Sequence, residues 1–443
     1  MATVQPRRFS GTRDFLPSDM IPREEMFARL REVFAHYGYD PLETPAIEYL
    51  DVLSGKYGPE ADKLLYRLDY KTDGKDAAGL RYDLTVPLAR VAAMAAAELP
   101  LPFRRYQMQP VWRAERAQTH KGRYREFYQC DVDCVGTTST VADAEIVAMI
   151  SDSIAALGIS GAIVKLNSRK LLRGMALALG LADREAPLLR CLDKYDKIGL
   201  DGVREEMTKS GFTPDEFSKT ASLFVSADEP LVRLSRIESS CIGIPGILEG
   251  AQEIREVLEH SNAMGAASGS IQFDPLMVRG LDYYTGPIFE AVLPSLPHMG
   301  SLAGGGRYDG LIGMFLGRPV PATGATVGLD RIFTALEQLN LVNRRKTRAI
   351  VLVALFSAEM LPVSLKLAAD LRGAGLNVVG YAEADKLKKQ FKYADDLGIR
   401  FVVLVGPDEA QAGTASLKDL LDGTQITVPM AEIGARVKEK TGR

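Results

Sequence analysis

The segment from Arg123 to Asp133, R-Y-R-E-F-Y-Q-C-D-V-D, sorts its residues by parity. Successive side chains on a strand point to opposite faces, so Arg123, Arg125, Phe127, Gln129, Asp131 and Asp133 are expected on one face. That face is cationic at one end and anionic at the other. A buried strand without a task carries apolar residues there. Two guanidinium groups, an aromatic plate, an amide and two carboxylates in file point instead to a site. The simplest ligand pair with matching charge is a nucleotide phosphate meeting an amino acid with a free ammonium group.

Other residues could serve the same chemistry. Arg113, with Glu115 and Arg116 after it, ends the stretch that precedes this strand, and Arg279 lies in V-R-G-L-D-Y-Y-T-G. Arg331 falls in the first turn of a helix expected after A-T-V-G-L-D. An arginine at a helix start opposes the local partial charge unless an anion is shared there, although a surface pairing of Asp330 with Arg331 accounts for it equally well. G-G-G-R-Y-D-G, Gly304 to Gly310, offers close approach to main-chain amides but by itself reads as a tight turn. Tyr283 and Tyr284 supply hydroxyls on rigid rings or simple packing. Asp83 and Thr85, in R-Y-D-L-T-V-P, read alone as a strand end and turn.

Absences narrow the chemistry. Gly55-Lys56 and Gly74-Lys75 lack the hydroxyl residue and glycine spacing of a P-loop, and histidines at 36, 120, 260 and 298 form no H-E-x-x-H motif. Phosphate handling must therefore come from arginines and backbone. Cys130, Cys134, Cys191 and Cys241 make no CxxC pair, so no metal or disulfide is expected.

The elements that position these residues follow from periodicity. F-R-R-Y-Q-M-Q-P-V-W-R, ending at Arg113, and the stretch from Arg123 are expected to form a hairpin with a long polar loop. Ser18 can cap a helix carrying Phe27, Leu30, Phe34 and Tyr37 at helical spacing, with Gly38 at its end. Extended segments are expected around Pro41–Leu50, Leu80–Asp83, Ile288–Leu293 and Ala325–Gly328, and a helix from about Asp330 to Leu339. Residues 169–260 read as a helical insertion. After N-R-R-K-T-R, strands and helices alternate, which predicts a small α/β domain with a parallel or mixed sheet.

With 443 residues, 46% hydrophobic and 25% charged, the chain has the composition of a globular protein of two or three domains. No apolar run is long enough for a membrane span, and the N-terminus lacks a secretory pattern, so no membrane partner and a cytoplasmic location are expected. The net charge of −3 excludes a uniformly basic coat, but residues 344–443 carry 16 Lys plus Arg against 12 Asp plus Glu, which makes that end +4.

These segments together resemble the histidyl-tRNA synthetase family over essentially the full length. G-T-R-D-F-L-P looks like the family's start, and Y-G-Y-D-P-L-E-T-P-A-I-E is similar to class II motif 1. P-V-W-R-A-E-R with G-R-Y-R-E-F-Y-Q-C-D-V-D resembles motif 2, and P-A-T-G-A-T-V-G-L-D-R resembles motif 3. V-R-G-L-D-Y-Y-T-G and G-G-G-R-Y-D-G look like the two histidine peptides, and the stretch Asp385–Glu409 like the anticodon-binding domain.

The resemblance implies an α/β and α+β multidomain fold. Its parts are a class II catalytic domain with an antiparallel sheet flanked by helices (1–168 and 261–342), a helical insertion (169–260) and a C-terminal α/β anticodon-binding domain (343–443). It implies activation of histidine by ATP to histidyl-adenylate, then transfer to histidine tRNA, with Mg2+ accompanying the ATP and no resident metal, in a homodimer. By motif position, Arg113 and Arg279 are the catalytic arginines, gripping the α-phosphate and the histidine carboxylate. Histidine is expected against Asp83, Leu84, Thr85, Gln129, Asp133, Tyr283 and Tyr284, and ATP against Arg113, Glu115, Arg123, Phe127 and Arg331. Arg116 and Gln118 are expected at the tRNA acceptor end.

Two departures stand out. The loop R-A-Q-T-H-K-G-R is two residues longer, at Thr119-His120, than the pattern common in bacterial members, which bears on how the extra 5′ guanylate of histidine tRNA is read. The acids at 83 and 133 are Asp rather than Glu. The main rival is the synthetase-like regulatory subunit of the histidine-biosynthetic phosphoribosyltransferase, which usually lacks the C-terminal domain and has eroded motifs; this chain keeps both. Synthetases for glycine, proline or threonine do not explain V-R-G-L-D-Y-Y-T-G, and a vestigial scaffold predicts random loss among the arginines.

Overall fold

The structure, a computed structural model, describes residues 4–54, 63–68, 77–119, 122–225, 228–267, 269–278 and 283–442. The chain divides into two compact units, one of Met1–Arg13 with Met26–Leu341, the other of Asp14–Glu25 with Val342–Arg443.

The first unit is built on an eight-stranded sheet. Its strands, in chain order, are β1 (Asp40–Pro41), β5 (Phe103–Trp112), β6 (Glu126–Val135), β7 (Ile163–Ser168), β8 (Ile271–Phe273), β9 (Pro287–Val292), β10 (Ala303–Arg307) and β11 (Ala322–Val327). The spatial order is β1-β5-β6-β11-β10-β9-β7-β8. The interior pairs are antiparallel, while β1 and β8 at the edges pair in parallel, so the sheet is mixed. Three short strands, β2 (Ile47–Tyr49), β3 (Tyr66–Arg67) and β4 (Ala78–Leu80), form a separate sheet.

The predicted hairpin exists, with register Phe103↔Val135 through Trp112↔Glu126. This register places Arg105 opposite Asp133, Gln107 opposite Asp131, and Gln109 opposite Gln129. Directly opposed residues share a face, so the polar parity of β6 is matched by a second polar row on β5. G-G-G-R-Y begins not as a tight turn but as β10, between β9 and β11. Glycine is needed there: a Cβ on Gly305 would run into the Gly324 carbonyl across the pair.

Helices cover the sheet. Thr140–Ala156 starts at a Ser139 cap whose hydroxyl accepts from the Val141 amide at 3.3 Å, and it buries Ile146, Val147 and Ile150. Residues 169–263 are mainly helical, as expected for the insertion, with a capping box in which Thr213 and Glu216 satisfy each other's amides. The N-terminal helix runs Pro17–His36, one residue ahead of the Ser18 start, and Gly38 beyond it takes φ 74°.

The second unit has a five-stranded mixed sheet of β12 (Val351–Ala354), β13 (Val378–Gly380), β14 (Phe401–Leu404), β15 (Thr414–Asp419) and β16 (Gln425–Pro429), ordered β13-β12-β14-β15-β16. The first three are parallel and the last two antiparallel. Val351, Val353, Leu367, Leu371, Phe401, Val403, Ile433 and Val437 form one side of its core. Gln390, fully buried, donates from Nε2 to the Leu355 and Asp385 carbonyls at 2.8 Å each, and its Oε1 accepts from the Leu355 amide at 2.8 Å.

Candidate functional site

A cavity of about 510 Å³ lies in the first unit, lined by Asp83, Thr85, Arg113, Glu115, Arg123, Phe127, Gln129, Tyr283, Tyr284, Thr326 and Arg331 among others. Ten of these eleven are residues singled out by sequence, contributed by segments far apart in the chain. Their convergence is a tertiary fact that parity alone does not contain.

Each is held by a definite local structure. Arg113 follows β5; its Nε donates to the Tyr82 carbonyl at 3.0 Å, and its guanidinium sits 5.0 Å from the Phe127 ring centroid. Asp83 precedes the helix Thr85–Met94, and its buried carboxylate accepts the Val86 amide at 3.2 Å. Arg331 occupies the first turn of the helix Leu329–Gln338, and its Nη1 donates to the Ser301 carbonyl at 2.7 Å. Gly122, at φ 66°, lies so near that an added Cβ would come within 3.2 Å of the Arg331 Cα. The loop thus delivers Arg123 to the same end of the cavity as Arg331. Tyr283 and Tyr284 stack on one another with ring centroids 4.1 Å apart.

Asp330 is not a surface partner for Arg331. It is buried, pairs with Arg13, and accepts the Tyr128 amide at 2.9 Å. Arg331 itself lines the cavity.

Three sequence expectations are corrected. Leu84 does not line the cavity; its side chain is fully buried in the core, and its carbonyl accepts the Leu88 amide at 3.1 Å and the Arg105 guanidinium at 3.4 Å. Asp133 lies beneath the cavity rather than in its wall: it is buried, paired with the Arg105 guanidinium at 2.8 Å, and accepts the Tyr308 hydroxyl. Arg125 breaks parity because β6 begins only at Glu126; its guanidinium turns to the Glu115 and Ser10 carbonyls at 3.1 and 3.0 Å. Arg116, exposed, and Gln118, whose backbone bridges to Arg123, stand outside the cavity wall in the loop. Arg279 and His120 lie outside the described residues.

The floor beneath the cavity carries residues that the sequence reading passed over. Arg105 is completely buried between Asp133, Gln107 and Leu84. Thr326 donates to Asp131 at 2.7 Å and accepts from Gln129 Nε2 at 3.1 Å. Burial pushes the carboxyls of both Asp131 and Asp133 up, against the pull of Arg105, and their mutual proximity with Asp83 adds to the rise at Asp131. The signal was present in the alternation Arg105, Gln107, Gln109 along β5, which has the same period as β6. Tyr308 was visible only as part of the glycine-rich segment.

Chemically, three guanidinium groups, an aromatic face, carboxylates, an amide and hydroxyls line this cavity. Such a wall can bind a polyphosphate beside a small zwitterion, and fixed cations stabilise developing phosphate charge without reorganising.

Comparison with known proteins agrees with this chemistry. The sequence profile of the family described as histidyl-tRNA synthetase matches residues 11–332, and that of an anticodon binding domain matches residues 350–440. The histidine–tRNA ligase of Cytophaga hutchinsonii is 40% identical, with 97% of this chain and 98% of that protein covered. That of Aeropyrum pernix is 42% identical, with 98% of each covered. The crystal structure of histidyl-tRNA synthetase from Nostoc sp. PCC 7120 superposes with a TM-score of 0.89 at 32% identity, covering 99% of this chain and all of that one. Cavity, fold and relatives of such identity along nearly the whole length lead to one assignment: the chain belongs to the histidyl-tRNA synthetase family.

Proposed function

We propose that this chain is a histidine–tRNA ligase of class II, which joins histidine to ATP with release of pyrophosphate and passes the histidyl group to the 3′ end of histidine tRNA. The observation that carries the reading is the gathering of Asp83, Thr85, Arg113, Arg123, Phe127, Gln129, Tyr283, Tyr284 and Arg331 around one cavity in a member of this family.

In the first step a histidine carboxylate oxygen attacks the α-phosphorus as the bond to the pyrophosphate oxygen breaks. Negative charge builds on the phosphate oxygens, and Arg113, fixed by the Tyr82 carbonyl, meets it with Arg279 as its partner. Phe127 stacks on adenine with Glu115 beside it, and Arg123 and Arg331 hold the outer phosphates. Mg2+ arrives with ATP as part of the substrate.

At the amino-acid end, Asp83, Thr85 and Gln129 receive the ammonium group. Tyr284, with Tyr283 stacked on it, reaches the imidazole, and Asp133 supports that end from below. A site that hydrogen-bonds imidazole nitrogens rejects apolar analogues because they leave buried polar groups unpaired.

The chain acts in the cytoplasm as a homodimer through its motif 1 segment. Its division is catalytic (1–168 and 261–342), helical insertion (169–260) and anticodon-binding (343–443). Arg116 and Gln118 meet the acceptor end of the tRNA. Among the described residues no helix is long and apolar enough to cross a membrane.

The test is ATP–pyrophosphate exchange with each of the twenty amino acids, followed by charging of histidine tRNA with and without its extra 5′ guanylate. Histidine alone should support exchange. Gln129→Ala should raise KM for histidine far more than KM for ATP; an equal rise in both removes Gln129 from the ammonium site.

A further inference from the structure

We infer that Thr326 and Asp131 are positioning residues that fix the polarity of the Gln129 amide, so that its carbonyl oxygen rather than its NH2 group is presented to the amino acid. The inference rests on the reading that Gln129 receives the substrate ammonium, and it deepens that reading by assigning roles to two residues of the motif 2 and motif 3 segments that were given none above.

The hydrogens available along this chain of groups fix its polarity. Thr326 on β11 lies directly opposite Asp131 on β6, and its hydroxyl donates to Asp131 Oδ1 at 2.7 Å. A hydroxyl has one proton, and an ionised carboxylate can only accept. Once that proton is committed to Asp131, the Thr326 oxygen can only accept, and it does so from Gln129 Nε2 at 3.1 Å. The amide nitrogen is thereby turned toward the sheet. Gln129 Oε1, itself buried, is left with no hydrogen-bond partner among the described residues, in a side chain that lines the cavity.

A buried carbonyl oxygen without a donor is costly in a resting protein and favourable toward a ligand that brings N–H groups. Its ligand class is therefore a donor such as an ammonium, not a carboxylate or a carbonyl. Were the amide reversed, the NH2 group would face the ammonium and oppose it. The Asp131–Thr326 chain excludes that rotamer, because a reversed amide would set two acceptors, Gln129 Oε1 and the Thr326 oxygen, against each other. Arg105 and Asp133 stand beside Asp131 on the same floor, and Arg105 favours the ionised form on which the direction of the chain depends.

The experiment is histidine-dependent ATP–pyrophosphate exchange at about pH 8, alkaline enough to favour the Asp131 carboxylate against the rise that burial imposes on it. Thr326→Val keeps the shape and deletes the hydroxyl. It should raise KM for histidine about tenfold, the worth of one net hydrogen bond, with KM for ATP and kcat within about twofold of wild type. Thr326→Ser, which restores the hydroxyl, should recover the wild-type KM. Inhibition by 3-(imidazol-4-yl)propionate, which lacks the ammonium group, should be unchanged in Thr326→Val, whereas inhibition by histidinol, which keeps it, should weaken. If the valine variant does not fold, Thr326→Ala carries the same expectations. A wild-type KM for histidine in the variant, an equal rise in both KM values, or equal weakening of both inhibitors overturns the inference. Absence of histidine-dependent exchange in the wild type instead overturns the reading beneath it.

Discussion

Replacing Arg105 with Met tests the idea that the cavity floor is held by one buried cation. The guanidinium is fully buried and its strongest partner is Asp133 Oδ2 at 2.8 Å; the Gln107 and Leu84 oxygens, at 3.3 and 3.4 Å, are near the limit of useful hydrogen bonding. Nearly the whole loss is therefore that of a cation beside two carboxylates, and removing one partner of a buried ion pair costs about 3–5 kcal/mol. The loss depends on pH. Asp131 and Asp133 are both raised in the folded state, chiefly by burial, so between the ordinary carboxylate value and the folded value the native chain holds more protons than the unfolded one. Stability then falls as pH rises through that window. Arg105 opposes the rise at both acids, so its removal lifts both further and extends the window upward. The deficit of Arg105→Met relative to wild type should be largest near pH 8 and smaller near pH 5, because burial raises both acids and loss of Arg105 raises them further. Urea unfolding followed by Trp112 fluorescence is a suitable assay, because Trp112 is the single tryptophan and lies on β5 with Arg105. A deficit below about 1 kcal/mol at pH 8, or one equal at both pH values, refutes the reasoning.

Two further outcomes follow from packing. Gly324→Ala sets a methyl group against the Asp133 carboxylate and the Val132 carbonyl, and since backbone cannot yield there the variant should lose about 1–3 kcal/mol, read as a lowered Trp112 transition; an unchanged midpoint contradicts the close approach. Gln390→Leu strips partners from the Leu355 amide and carbonyl and the Asp385 carbonyl, costing about 2–4 kcal/mol in the second unit. Hydrogen exchange should accelerate along β12 and β14 while the Trp112 transition stays in place; protection equal to wild type rules out the keystone role of this amide.

Much of the site was legible because strand parity is local physics. Phe127 and Gln129 face the cavity as their odd numbers require. Parity gives the face, however, and not the depth. Asp131 and Asp133 share that face yet lie under Tyr308 and Thr326, residues brought in from β10's end and β11, so the side chain expected at the imidazole became part of the floor. Arg125 was misplaced because strand geometry was extended past the point where the loop backbone turns. The glycine run of β10 hid a strand, since residues with no side chain leave no alternation to detect. The hairpin of β15 and β16 escaped notice although Asp422-Gly423 marks its turn.

The pairing of β6 with β11 has a consequence for the birth of the molecule. Residues 136–321 must leave the ribosome before β6 acquires its second neighbour, and β5 already occupies its other side. Throughout that interval a ten-residue strand bearing Cys130, Val132, Cys134 and Val135 offers an open row of amides and carbonyls to any passing chain. A polypeptide ending ahead of Ala322 should therefore be the species most in need of a chaperone, and fragments released at Arg318 should sediment as aggregates where those released past Gln338 remain dispersed.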